Sequence, residues 1–146
     1  MNAQLEKRLA RTNALFMDAL AAFGSEHLGE RLGTLPSNTV GAQFWCVVGA
    51  RHSYVDAAAA GAWQGFSCPL SAEGTTDPTE VARTLTSTFE DVSGLLGSLD
   101  ILSGVQEDYL LDLLEHEVQH HGQLIRYLYG LKVDAPESWK QRYALD

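Results

Sequence analysis

The sequence has few cysteines, few basic residues and no long apolar run, and each shortage excludes a class of protein. Its two cysteines, Cys46 and Cys68, are too few for a disulfide framework. Lys and Arg total 10 against 19 acidic residues, for a net charge of −9. Because contacts with phosphates require Lys and Arg, we expect no nucleic-acid partner. No segment approaches the ~18 apolar residues that a membrane span needs, so we expect no membrane partner either.

The N-terminal region lacks the layout of a signal peptide, because Glu6, Asp18 and several basic residues interrupt its apolar positions. A cytoplasmic, reducing location is therefore the expectation. The 146 residues suit one domain, spanning residues 1–146, that is long enough to bury a core without disulfides. Cys46 lies in the apolar run Phe44-Trp45-Cys46-Val47-Val48 and is interpreted as a small core residue.

No segment shows the alternation of a β-strand, whereas helical periodicity and helix-start signals recur along the chain. The pattern predicts four helices: from about Asn2 to Phe23, with an extension to Arg31 left open; from Thr39 to Trp63; from Asp77 to Leu99; and from Ser103 to just before Gly130. A long connection separates the second and third helices. The sequence thus predicts an all-α protein, a four-helix bundle with this long connection between helices two and three.

Two of these helices have clear end signals. Asp77-Pro78-Thr79-Glu80 combines a capping Asp, a Pro at the first helical position and a Glu at the third. Ser103 and Gln106 have the spacing of a capping box. Gly130 is predicted to terminate the fourth helix in the left-handed conformation.

The fourth helix contains His116-Glu117-Val118-Gln119-His120, which matches the H-E-x-x-H zinc signature of many metalloproteases. His116 and His120 lie only ~40° apart around the helix, on its apolar stripe, and so point into the bundle. Two hydrogen-bonded core histidines are the simple alternative. Burying two imidazoles is unfavourable unless both find partners, however, and a metal ion would serve both. The pair therefore predicts a metal site.

A third ligand is expected on another helix that faces the same core. His52 lies at the centre of a predicted apolar stripe on the second helix, formed by Trp45, Val48, Val55, Ala59 and Trp63. The predicted metal ligands are accordingly His52, His116 and His120, and Asp56 is placed to orient His52. His121 is expected to flank the site or to face a neighbouring helix, and His27 to have a surface or capping role.

Three protein ligands leave an open coordination position, as in catalytic sites. Imidazoles suit zinc, nickel, iron or copper, and the open position suits water or a small-molecule thiolate. Glu117 is the candidate catalytic base, and the alternative for it is a solvated side chain. A peptidase is the least favoured hypothesis, because Gln123 and Arg126 stand where the extended signature needs Gly and His.

The pattern His116-x-x-x-His120-x-Gly122-Gln123, followed by Tyr127-Leu128-x-Gly130-Leu131, resembles the last helix of the DinB/YfiT-like superfamily. The resemblance extends to His52 after Val47-Val48-Gly49-Ala50-Arg51 and to Pro136-Glu137-Ser138-Trp139. It implies a four-helix bundle in which one His from the second helix and two from the fourth hold a divalent metal. One departure is His121, where family members often carry Arg.

The resemblance also implies a small-molecule substrate, frequent homodimers and, in some relatives, transferases that use low-molecular-weight thiols such as bacillithiol or mycothiol. We therefore expect a metal-dependent enzyme of the thiol-dependent transferase or hydrolase type, with zinc or nickel favoured and iron as a further choice. The alternative is a non-catalytic metal-binding or ligand-sensing bundle. The family name refers to DNA damage and stress, but the acidic charge argues against DNA contact.

Overall fold

The computed structural model describes residues 2–146 and contains five α-helices and one short 3₁₀-helix. The helices are α1 (Asn2–His27), α2 (Val40–Ala60), α3 (Pro78–Ser98), α4 (Gly104–Gly130) and α5 (Glu137–Tyr143), with the 3₁₀-helix at Glu73–Thr76. Residues 2–146 contain no β-strand, so the predicted all-α class is confirmed. Over the same residues, no helix combines the length and apolarity that crossing a membrane would require.

The predicted helix starts are confirmed by their capping contacts. The side chain of Thr39 accepts a hydrogen bond from the backbone N–H of Ala42 and begins α2. Asp77 accepts from the N–H of Thr79 at 2.9 Å and begins α3. Ser103 and Gln106 form the reciprocal capping box at the start of α4. Each contact satisfies an N–H group that has no partner within the helix itself.

The end of α4 differs from the prediction. Gly130 is the last helical residue, and the left-handed backbone belongs to Lys132, with φ of 56°. The chain then forms α5, which was not predicted. Trp139 of α5 is completely buried, and its indole N–H donates to the carbonyl of Leu15 at 2.7 Å. The buried Trp139 therefore anchors α5 to α1.

The four long helices pack so that α1 and α2 each contact both α3 and α4. One apolar cluster is centred on Phe16, Phe44 and Leu124, and a second contains Leu9 and Leu110. Helix α5 packs on α1. For the site, the important consequence is that α2 and α4 lie side by side along much of their length.

Candidate metal centre

Helices α2 and α4 bring together one thiol and two imidazoles. The Sγ atom of Cys46 lies 3.5 Å from Nε2 of His116, which lies 3.2 Å from Nε2 of His120. All three ligand atoms lie within 4.8 Å of one another. Cys46 and His116 are partly buried, and His120 is 6% exposed. The three atoms thus converge on one small volume between the two helices.

The two separations that involve His116 match edges of a tetrahedral zinc site. Zinc–nitrogen bonds of about 2.05 Å and zinc–sulfur bonds of about 2.3 Å place two nitrogens about 3.3 Å apart, and nitrogen and sulfur about 3.6 Å apart. The observed nitrogen–nitrogen distance between His116 and His120 is 3.2 Å, and the observed sulfur–nitrogen distance between Cys46 and His116 is 3.5 Å. Each is close to the corresponding expected distance. The donor set of one sulfur and two nitrogens also suits zinc. The residues present therefore fit a zinc ion with little rearrangement.

A chain of hydrogen bonds fixes which nitrogen of His120 is available. The amide N–H of Gln43 donates to Oδ1 of Asn38 at 2.7 Å, and the hydroxyl of Tyr127 donates to the same oxygen. The other end of the Gln43 amide, Oε1, therefore accepts from Nδ1–H of His120 at 2.6 Å. With its proton on Nδ1, His120 has a lone pair on Nε2, and this nitrogen faces Cys46 and His116.

Burial keeps both imidazoles in the neutral form that binds metals. It lowers the pKa of His120 to about 4, with a smaller contribution from His116. Burial also lowers the pKa of His116, although Glu117 opposes this effect, and it raises the pKa of the Cys46 thiol. A metal ion must therefore displace a proton from Cys46, so metal affinity should increase with pH.

Cys46, His116 and His120 form part of the wall of a cavity of about 520 Å³. The cavity is lined by Leu32, Pro36, Ser37, Asn38, Gln43, Cys46, His116, Gln119, His120, Gln123, Arg126 and Tyr127. Most of these residues belong to α4 or to the loop that precedes α2. Because Cys46, His116 and His120 all line this cavity, a small molecule in it would be next to any ion that these three residues held.

His52 does not belong to this cluster of ligand atoms. Its side chain is 38% exposed, and Nε2 lies 3.6 Å from Oδ2 of Asp56. The expected pairing with Asp56 is therefore present, but at the surface of α2. The apolar stripe assigned to this helix was wrong: Trp63 is about half exposed, whereas residues 47–51 are all buried. A helix that is apolar on most sides has no periodic signal that identifies the face toward α4.

Cys46, interpreted from the sequence as a core residue, is only partly buried and faces His116. It is the residue on α2 that sequence reasoning missed. Gln43 and Cys46 are three positions apart, on the side of α2 that contacts the two histidines. A polar residue one turn before a cysteine within an apolar run was the available signal.

Glu117 does not line the cavity, and its carboxylate faces α1 and α2. Its carboxylate is 1% exposed, forms an ion pair with the completely buried Arg51, and accepts from the hydroxyl of Thr12. Arg51 also donates to Oδ1 of Asn13 and to the carbonyl of Leu85. The solvated alternative for Glu117 is therefore wrong, and its carboxylate is engaged by partners on α1 and α2.

His121 faces α1 and α5, which is the second of its two predicted alternatives. It is completely buried, its Nδ1 lies 2.6 Å from the hydroxyl of Tyr143, and its ring packs against Phe16 and Trp139. Burial lowers its pKa to about 3. His27 is bonded to Glu30 near the end of α1, consistent with a surface role.

Comparison with family models, with curated proteins and with solved structures gives no match for this chain. The geometry of Cys46, His116 and His120 and of the cavity beside them is therefore the basis for a function.

We expect Gln43→Leu to weaken zinc binding by about 10- to 100-fold, because His120 would lose the acceptor that fixes its ring and tautomer. Competition with a chromophoric zinc chelator measures this change. Gln119→Leu is the matched control, since Gln119 lines the same cavity and is exposed. Equal zinc affinity in Gln43→Leu and the unmodified protein would contradict the role given to the hydrogen-bond chain.

Proposed function

We propose that the protein binds a divalent metal, with zinc preferred over nickel or iron, through Cys46, His116 and His120, and that it is a metal-dependent enzyme acting on small molecules. The observation that carries the proposal is the convergence of these three ligand atoms, all within 4.8 Å of one another, on the wall of a cavity. We also propose that the four long helices form a four-helix bundle of the DinB/YfiT-like type and that the chain is a homodimer.

The ligand set supports a catalytic role more than a structural one. Structural zinc sites usually have four protein ligands, whereas catalytic sites have three and an open position. When bound, the ion supplies a Lewis acid that favours the deprotonated form of a thiol or water. Cys46, His116 and His120 hold it at the cavity wall, and Gln43 orients His120. This proposal replaces His52 with Cys46 in the predicted ligand set.

A thiol-dependent transferase or a hydrolase is the reaction class that suits such a centre. A low-molecular-weight thiol in the cavity would release its proton to solvent. Its sulfur would then form a bond to an electrophilic carbon as the bond from that carbon to the leaving group breaks, and the leaving group would depart with the electron pair of that bond. Water replaces the thiol in the hydrolase version. A peptidase is not proposed, because Arg51 and Thr12 engage the carboxylate of Glu117, the residue that would be its general base.

The test is to purify the protein, determine its metal content, and assay thiol conjugation and ester hydrolysis with and without a chelator. We expect about one zinc per chain, turnover that is lost on chelation, and recovery when zinc is restored. Zinc binding without any turnover would favour a non-catalytic metal-binding or ligand-sensing protein. Turnover that survives chelation, or a purified protein that binds no divalent metal, would overturn the proposal. Light scattering tests the homodimer.

A further inference from the structure

A second cavity adjoins the one beside the metal centre. It has a volume of about 800 Å³ and shares Leu32, Pro36 and Arg126 with the first cavity. Its remaining lining residues are Gly33, Thr34, Leu35, Tyr129 and Gly130. The two adjoining cavities are called together the long groove, and their lining residues on α4 extend from His116 to Gly130. A ligand at the metal centre therefore has room to extend beyond it.

Arg126 is the only Lys, Arg, Asp or Glu among the residues that line the long groove. No carboxylate of residues 2–146 lies within 4.0 Å of its guanidinium, whereas Arg83, at the surface of α3, is paired with Glu80. Instead, the guanidinium lies over the ring of Tyr129, 5.5 Å from its centroid. In a chain of net charge −9, this is a local positive site next to a cation-binding centre.

The two ends of the long groove differ in character. The end near the metal centre is polar, and Oε1 of Gln123 is buried there without a hydrogen-bond partner among residues 2–146. The far end presents Leu35, 65% exposed, and Tyr129, 47% exposed. Because an α-helix rises 1.5 Å per residue, Arg126 lies about 9 Å along α4 from His120. Along the groove, the metal centre therefore comes first, the guanidinium of Arg126 second and the apolar surface last.

We propose that the long groove binds a small organic anion. The anionic group, a carboxylate or a phosphate ester, pairs with the guanidinium of Arg126, and an apolar chain lies against Leu35 and Pro36. The planar guanidinium suits both anions because it donates two parallel hydrogen bonds. That the remainder of the ligand reaches the metal centre rests on the proposed function. The pairing with Arg126 does not depend on it.

Isothermal titration calorimetry with three eight-carbon probes tests this inference: octanoate, octyl phosphate and the neutral octanamide. We expect at least one anion to bind about tenfold or more tightly than octanamide, and its affinity to fall as salt is added. The stronger of the two anions identifies the preferred headgroup. Arg126→Gln should reduce anion affinity by about tenfold or more, and Arg126→Lys by less, because Lys keeps the charge but loses the planar fork.

Arg83→Gln is the matched control and should leave anion binding unchanged, since Arg83 lies on α3 beside Glu80. Titrating the zinc-loaded protein and the His120→Ala variant separates the two proposals. Zinc binding without any preference for anions overturns the present inference and leaves the metal centre standing. Anion binding by a protein that takes up no zinc supports the present inference and overturns the proposed metal centre. Equal affinity of Arg126→Gln and the unmodified protein for the anion also overturns it.

Discussion

Replacing Cys46 with Ala is expected to weaken zinc binding by on the order of 100- to 1,000-fold, because one of three protein ligands is lost. His52→Ala should leave the affinity unchanged, since His52 lies at the surface beside Asp56. Competition with a chromophoric chelator measures both affinities. Cobalt substitution adds an independent readout, because a thiolate ligand gives a charge-transfer absorption that should disappear in Cys46→Ala and persist in His52→Ala.

Cys68→Ala is the matched control for the cysteine, because it removes a partly buried thiol that is not one of the three ligands. It should retain both zinc affinity and the charge-transfer band. The opposite pattern, in which His52→Ala loses zinc and Cys46→Ala keeps it, would reject Cys46 and support the three-histidine set predicted from the sequence.

The second large effect is expected in the protein core. Glu117→Ala should lower the free energy of unfolding by about 3–5 kcal/mol, because it leaves the charge of Arg51 buried without its partner. Arg51 is completely buried, so its guanidinium has no route to solvent without local unfolding. Urea denaturation followed by circular dichroism measures the loss. A lower urea midpoint, with no change in the slope of unfolding free energy against urea concentration, would show that the stability of the native state has fallen.

The double variant Glu117→Leu with Arg51→Met separates the ion pair from the packing around it. We expect it to recover much of the stability lost in Glu117→Ala, because a pair of apolar side chains removes both buried charges together. A loss below about 1 kcal/mol in Glu117→Ala would contradict the buried pair. If Glu117 instead acted as a catalytic base, its replacement would abolish turnover and leave stability unchanged.

The starts of the helices could be predicted because they depend on neighbouring residues. Thr39, Asp77 and Ser103 each cap a helix through a side chain that bonds two or three positions along the chain. Helix α5 could not be predicted in the same way. Its seven residues are too few to be helical alone, and Trp139 stabilises them by bonding Leu15, which is distant in sequence.

The site was predictable to the extent that it belongs to one helix. His116 and His120 share a face because they are four residues apart, and their inward direction followed from the apolar stripe of α4. The third residue depends on how α2 is rotated against α4. Residues 47–51 are five consecutive buried positions, so neighbouring elements cover this part of α2 on several sides and its sequence does not specify that rotation. His52 was predicted as a ligand because imidazole binds metals, and Cys46 was interpreted as a core residue because its neighbours in the sequence are apolar.

Adjacent residues of α4 serve different sides of the helix, because they lie about 100° apart around it. His116 and His120 face the cavity, whereas Glu117 bonds to Arg51 and His121 contacts Tyr143. Turning α4 by a single residue, about 100°, so that the carboxylate faced the cavity would carry the imidazoles toward the face that now bears the exposed Glu115. The core contacts of Glu117 and His121 therefore fix the rotation of α4 about its own axis, and with it the direction in which the imidazoles of His116 and His120 point. Grafting the two histidines onto another helical scaffold would transfer the ligands without their alignment, unless Arg51 and Glu117 were moved with them.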